Sequence, residues 1–181
     1  QVQWIGFPGT MGAPWIDYIV ADRRVIKPGQ EQFYSEKIIA LPDCYLPTDD
    51  RRESPKASSR RDCGLPDGAF VFDIWMRLLK ATENSVLWLR EWGDSAIENL
   101  RREAEARGVD SGRLIFAPRV SLTEHLARTP NMDLALDCFP YNSHITAIDM
   151  LWAGVPLVGL SGETFASRVS DSVLTAAGLS D

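Results

Sequence analysis

Histidine and cysteine are scarce in these 181 residues: the chain has two histidines and three cysteines, with no Cys-x-x-Cys pair. Cys44, Cys63 and Cys138 are odd in number and far apart, so they offer neither zinc-ligand spacing nor a disulfide framework, and a reducing, cytoplasmic compartment is expected. His125 and His144 are too few for a His-rich centre, so no metal and no cofactor are expected. No apolar run approaches the ~20 residues of a membrane span, and no basic, apolar leader with a small-residue cleavage site opens the chain. Neither a membrane partner nor a signal peptide is expected. Basic residues are also in deficit, 19 Lys and Arg against 25 Asp and Glu, for a net charge of −6 and a pI near 5.0. That argues against nucleic acid as the main partner, because duplex binding needs a basic surface to displace counterions.

What the chain does have is 45% hydrophobic residues, enough for a sizeable core in one large domain or a domain and a half. It opens abruptly on the strand-like QVQWIGF, as a piece of something longer would. Gly6, Gly9 and Gly12 then recur every third residue in GFPGTMG, which is not the G-x-G-x-x-G dinucleotide fingerprint. These glycines either let backbone approach a ligand or turn the chain. Short strands are predicted over 2–5, 18–20 and 38–41, with a helix over 28–37 from the spacing of Phe33, Tyr34 and Lys37. Residues 47–65 are polar, rich in Ser and charge and nearly free of apolar side chains, so a linker is expected. Its Arg51, Arg52, Arg60 and Arg61 are balanced by neighbouring acids and read as solvated surface.

After Pro66 the pattern becomes regular. Strands over 69–72, 86–89, 114–116, 134–136 and 155–160 alternate with helices over 74–80, 95–107, 122–128, 145–153 and 164–177. Ser121-Leu-Thr-Glu124 fits a capping box. Such alternation predicts a parallel sheet with helices on both faces. Trp75, Trp88, Trp152 and the stripe Ile97, Leu100, Ala104 read as core or interface. One junction is abnormal: strand-to-helix loops usually take ~2 to 6 residues, yet Phe72 abuts Asp73 with none, so either Asp73 caps the helix directly off the strand or residues are absent, and absence is the favoured reading.

The stretch LALDCFPYNSHITAIDMLWAGVPLVGL, from Leu134 to Leu160, reads as a βαβ unit: an apolar run, a polar loop, a helix stopped at Gly154 and a second strand. In such units the loop after the first strand lies at the carboxyl edge of the sheet, and the first N–H groups of the helix face a ligand. His144, Ile145 and Thr146 supply those groups, which suit an anion such as phosphate. Asp149 lies three residues after Thr146 on the same face, where a carboxylate can accept two hydrogen bonds from a sugar diol. Phosphate beside ribose describes a nucleotide, and a capped, buried helix is the plainer alternative.

The segments QVQWIGFPGTMGAPWIDYIVAD, YSEKIIALP, NSVLWL, NSHITAIDMLWAGVPLV and GETFASRV together resemble the catalytic region of the O-linked N-acetylglucosamine transferases and the related SPINDLY proteins. The likeness covers most of the chain in the right order. It implies an α/β fold of GT-B type with two Rossmann-like halves and tetratricopeptide repeats ahead of them; no 34-residue repeat occurs here. Residues 1–47 would end the first half, 48–65 would link, and 66–181 would form the second half, which binds a nucleotide sugar. Carried over by motif, Val120, Ser121 and Leu122 would line the base and ribose. His125 and Arg128 would flank the uracil, His144, Ile145 and Thr146 would hold the diphosphate, and Asp149 the ribose. Pro8 and Gly9 are candidates for the sugar or acceptor cleft.

The implied reaction moves N-acetylglucosamine from UDP-N-acetylglucosamine to Ser or Thr hydroxyls of a protein or peptide, with inversion and without a metal. A SPINDLY-like protein O-fucosyltransferase, a UDP-glucose-dependent transferase and a non-catalytic nucleotide-sugar or protein-binding module are the alternatives. Two departures bear on the site: Ile145 stands where the family usually has threonine, and Leu122 where animal homologues have lysine. The family's lysine-bearing segment is missing after Phe72, and its catalytic histidine lies upstream of Gln1. No catalytic residue is therefore assignable within the chain, and the chain alone is expected not to turn over.

Overall fold

A computed structural model of the chain describes residues 1–52, 54–64, 70–72 and 76–179. Among these, the strands are β1 (Val2–Gln3), β2 (Tyr18–Asp22), β3 (Lys37–Leu41), β4 (Phe70–Phe72), β5 (Ser85–Arg90), β6 (Leu114–Ala117), β7 (Ala135–Leu136) and β8 (Leu157–Val158). The helices are α1 (Met76–Ala81), α2 (Asp94–Ala106), α3 (Leu122–Arg128), α4 (Ile145–Trp152) and α5 (Val169–Ala176). The chain packs as two compact units, one of residues 1–51, 137–148 and 159–181 and the other of 52–136 and 149–158.

In the first unit β1, β2 and β3 form a parallel sheet with β2 in the middle, Ile19 opposite Ile38 and Ala21 opposite Ala40. The helix expected over 28–37 is not there. A single 3-10 turn, Glu31–Phe33, takes its place, and Lys37 already belongs to β3. The physical reason is that the spacing of Phe33 and Tyr34 builds no buried stripe: Phe33 is 68% exposed, and a short helix with no face to bury is not stable in water. Gly29, at φ 89°, takes a left-handed conformation at the start of this segment.

Two buried polar side chains tie this unit together. The Asp22 carboxylate accepts from the backbone N–H groups of Arg24 (2.8 Å) and Val25 (3.1 Å) through Oδ1, and from Tyr45 N–H (2.9 Å) and Ser172 Oγ (2.7 Å) through Oδ2. Arg168, wholly buried, donates from Nε to Gly162 O (2.7 Å), from Nη1 to Gln30 Oε1 (2.6 Å) and Val25 O (3.4 Å), and from Nη2 to Glu163 O and Oε2. The helix expected over 164–177 accordingly begins late. Thr164 and Ser167 bond each other, a 3-10 turn spans Ala166–Arg168, and α5 follows.

In the second unit β4, β5 and β6 form a parallel sheet with β5 in the middle, Leu87 lying opposite both Phe72 and Leu114. β7 and β8 pair in parallel beside each other, Ala135 opposite Leu157. Side chains along β5 alternate in direction, as a strand requires. Leu87 packs with Leu79, Ala104, Val109 and Leu114, which brings α1 and α2 onto one face. Val86 and Trp88 pack with Ala117 on the other, where Cys63 and Met132 cover them. The capping box is present: Ser121 Oγ accepts from Glu124 N–H, and the Glu124 carboxylate accepts from Ser121 N–H. Gly108 and Gly154, at φ 69° and 75°, supply the left-handed residues that stop α2 and α4.

The linker expectation needs correction at two arginines. Arg60 pairs with Asp133 at 2.8 Å and Arg52 with Asp149 at 2.6 Å, acids far along the chain, while Ser58 N–H and Oγ both donate to Ala127 O. Arg51 and Arg61 are exposed, as read. Strand pairing over 155–160 shrinks to Leu157–Val158. Trp75 and the Phe72-Asp73 junction fall at least partly outside the described residues.

Candidate nucleotide site

The amino end of α4 belongs to the first unit. Its approach loop is anchored by two side chains that the sequence reading passed over. Asp137 Oδ1 accepts from the N–H groups of Cys138 (2.8 Å) and Ser143 (2.6 Å). Asn142, 2% exposed, donates from Nδ2 to Cys138 O (3.0 Å) and receives position through its own N–H to Ala166 O (2.9 Å). The signal available was a polar residue closing an apolar run, which in a βα loop more often braces backbone than faces solvent.

With the loop so held, the N–H groups of His144, Ile145 and Thr146 have no hydrogen-bond partner among the described residues. Ile145 and Thr146 are exposed, so the helix end is open rather than plugged. His144 stacks on Tyr141 at 5.2 Å between centroids and 7° between planes. Its Nε2 is buried with no partner among the described residues. Burial pushes the His144 pKa below the ordinary histidine value, with the Asp137 charge opposing that shift, so the ring is neutral at pH 7. His144 also lines a small cavity of about 20 Å³ with Pro8, Ile5, Phe7 and Tyr45, room for about one water. Gly9 does not line it: a Cβ there would meet the Phe7 ring at 3.1 Å, and Gly9 O accepts from Gln3 Nε2 at 3.0 Å. Ile5, at φ 62°, is a β-branched residue in the left-handed region, a strain that clusters at functional loops.

The base-side residues lie in the second unit. A cavity of about 270 Å³ is lined by Val120, Arg128, Trp88, Ser58, Cys63 and Pro118, among others, close to the lower end of the ~300 to 1,000 Å³ typical of small-molecule sites. Arg128 lies 5.6 Å over the Trp88 ring and donates from Nη1 to Pro118 O at 2.8 Å. Trp88 Nε1 and Arg128 Nε are buried with no partner among the described residues, two donors a ligand oxygen would satisfy. The sequence reads Trp88 as core or interface; its ring is buried in the core, and its orphaned N–H leaves no sequence signal. The linker residues Ser58 and Cys63 left no local signal at all.

His125 is half-buried on α3, with Ser121 capping that helix and Leu122 62% exposed at its start. Burial lowers the His125 pKa first, the Arg128 charge adds to this, Asp149 opposes it and Arg90 contributes in the same sense as Arg128. The ring is thus neutral at pH 7 and free to stack. Asp149, in the last four residues of α4, is 5% exposed and holds Arg52. The structure therefore gathers Val120 with Arg128, and His125 within the field of Arg128 and Asp149. It gathers His144 with Pro8, and sets Ile145 and Thr146 on the open helix end. Among the described residues no three His, Cys, Asp or Glu side chains cluster as a metal site requires, and no helix is long and apolar enough to cross a membrane.

The chain is 36% identical over 199 residues to SEC of Arabidopsis thaliana, named a probable UDP-N-acetylglucosamine–peptide N-acetylglucosaminyltransferase, covering 99% of this chain and 20% of that protein. It is 31% identical to SPINDLY of Petunia hybrida, which bears the same enzyme name, with 99% and 21% covered. The chain thus spans about a fifth of the length of these relatives. A solved mutant O-GlcNAc transferase from Thermobaculum terrenum superposes with a TM-score of 0.86 at 32% identity, covering 99% of this chain and 37% of that one. The fold is accordingly α/β of GT-B type, as expected. The profile of glycosyl transferase family 41 matches residues 1–62 and 58–181, nearly the whole chain with its open helix end and its base-side cavity, and the chain belongs to that family.

Proposed function

We propose that the protein containing this chain is an inverting glycosyltransferase that moves N-acetylglucosamine from UDP-N-acetylglucosamine to Ser or Thr hydroxyls of protein acceptors. In this reading residues 1–47 end the first GT-B half, 48–65 link, and 66–181 form the donor-binding half, with tetratricopeptide repeats ahead of both. The observation that carries the reading is the amino end of α4: three backbone N–H groups without a partner among the described residues, beside a neutral His144 whose Nε2 is also unpartnered.

Each residue then has a task. The uracil stacks on His125, with Arg128 flanking it and Val120, Ser121 and Leu122 along its edge. The ribose diol meets Asp149. As the acceptor oxygen attacks the anomeric carbon, the bond from that carbon to the diphosphate oxygen breaks and negative charge grows on UDP. Donors already aimed at that charge stabilise the transition state more than the substrate. His144, Ile145 and Thr146 are those donors, and the Thr146 hydroxyl and the α4 dipole add to them. The names of SEC and the Thermobaculum enzyme support the sugar and the acceptor class.

Nucleotide choice tests this reading. A ligand stabilises only the state it binds, by ~2.7 kcal/mol at a hundredfold excess over Kd, so UDP is expected to raise the melting temperature of the full-length protein and GDP to leave it unchanged. A shift with GDP instead would make the donor a guanosine nucleotide sugar, and no shift with either would remove the transferase reading.

A further inference from the structure

Asp149 is not alone in the second unit. Arg52 donates from Nη1 to its Oδ1 at 2.6 Å, and the Arg52 side chain is 21% exposed. The guanidinium lies 5.5 Å over the Trp152 ring, and Trp152 Nε1 in turn donates to Ser54 Oγ at 3.0 Å. Two features set this apart from an ordinary structural ion pair. Nε and Nη2 of Arg52 are buried without a partner among the described residues, although an arginine retained for packing has its donors satisfied. In addition, Asp149 Oδ2 takes no hydrogen bond from a described residue while Oδ1 is fixed. One carboxylate oxygen is pinned and the other is left over, which is how a second group orients one that meets a ligand.

Resting on the nucleotide reading above, we infer that Arg52 is a positioning residue of the donor site. Through Nη1 it turns Asp149 so that Oδ2 meets the ribose diol, and the Trp152 face and Ser54 hold the arginine in place. Planarity is what the arrangement uses: guanidinium lies flat on the indole while its edge reaches the carboxylate, and an ammonium does only the second. A segment that composition marks as linker thus completes the site of the half that follows it.

The test is a calorimetric titration of the full-length protein with UDP and with 2′,3′-dideoxy-UDP, for wild type, Arg52→Gln, Arg52→Lys, Asp149→Asn and the Arg52→Gln/Asp149→Asn double variant. A hydrogen bond to a charged group corresponds to roughly ten- to a hundredfold in affinity. Arg52→Gln is expected to lose UDP affinity by that factor, Arg52→Lys to lose less, and the double variant to lose no more than Asp149→Asn alone. With the dideoxy nucleotide, which has no diol, Arg52→Gln should bind as wild type does. A merely structural role would weaken both nucleotides equally, and that result overturns the inference. So does UDP binding by Arg52→Gln that equals or exceeds wild type while Asp149→Asn is impaired. If wild type binds no UDP, the nucleotide reading itself fails, and the inference with it.

Discussion

Replacing Ile145 by proline is expected to slow sugar transfer by about 10²-fold while leaving the melting temperature nearly unchanged. Ile145 is the first residue of α4, and the first helical position is where proline is best tolerated, because the missing N–H has no intrahelical partner there and the fixed φ suits the helix. The residue before proline is pushed to extended backbone, the region usual for the residue that precedes a helix. The isoleucine side chain is 46% exposed, so little packing is lost. On the proposed reading, what disappears is one N–H that meets the diphosphate as its charge develops, and loss of one such donor costs ~10² to 10³ in rate. The measurement is steady-state transfer from UDP-N-acetylglucosamine to a peptide acceptor by the full-length protein, with the melting temperature as control. An unchanged rate in a folded variant would place the leaving group elsewhere.

Arg168→Ala is expected to produce the largest loss of stability, about 3 to 5 kcal/mol in the first unit. The side chain is wholly buried, and its three nitrogens satisfy Gly162 O, Glu163 O, Val25 O and Gln30 Oε1. Truncation removes the donors and leaves the buried Val25 O and the half-buried Gly162 O and Gln30 Oε1 without them; a buried polar group left unsatisfied costs ~1 to 3 kcal/mol, to which the cavity of a large side chain adds. The partner Glu163 is mostly in water, its side chain 85% exposed, so its charge contributes little. Arg168→Lys should recover only a part, since a single ammonium cannot reach donors' positions on three sides. Hydrogen exchange of the amides of α5 reports the change locally. A loss below about 1 kcal/mol would mean that water replaces the guanidinium at no cost, against the expectation for a buried network.

Much of the architecture could be read from the residues because local chemistry and global packing agree there. Ser121 and Glu124 announce α3, Gly108 and Gly154 end α2 and α4, and the unbroken apolar run Val86, Leu87, Trp88 is that of a strand covered on both faces. Where the reading went wrong, a spacing existed without a surface to bury it. Phe33, Tyr34 and Lys37 sit at helical intervals, yet Phe33 faces solvent and the chain makes one 3-10 turn.

The site divides in the same way. His144, Ile145, Thr146 and Asp149 follow from helix geometry, since the order strand, loop, helix dictates where free N–H groups lie. Arg52 does not: its partner is Asp149, 97 positions later, and nothing near Arg52 in sequence distinguishes it from its exposed neighbour Arg51. Asp137 and Asn142 brace the loop through backbone contacts, Asp137 to Cys138 and Ser143, Asn142 to Cys138 and Ala166. Such contacts carry no compositional signature.

In the proposed function a nucleoside diphosphate docks on the amino end of α4. Backbone amide chemical shifts of the isotopically labelled full-length protein, followed during addition of UDP and of uridine, test it most directly. The amides of His144, Ile145 and Thr146 are expected to move furthest with UDP and barely to move with uridine, because only the diphosphate accepts from them. UDP binding that leaves those three amides where they were would contradict docking at this helix end.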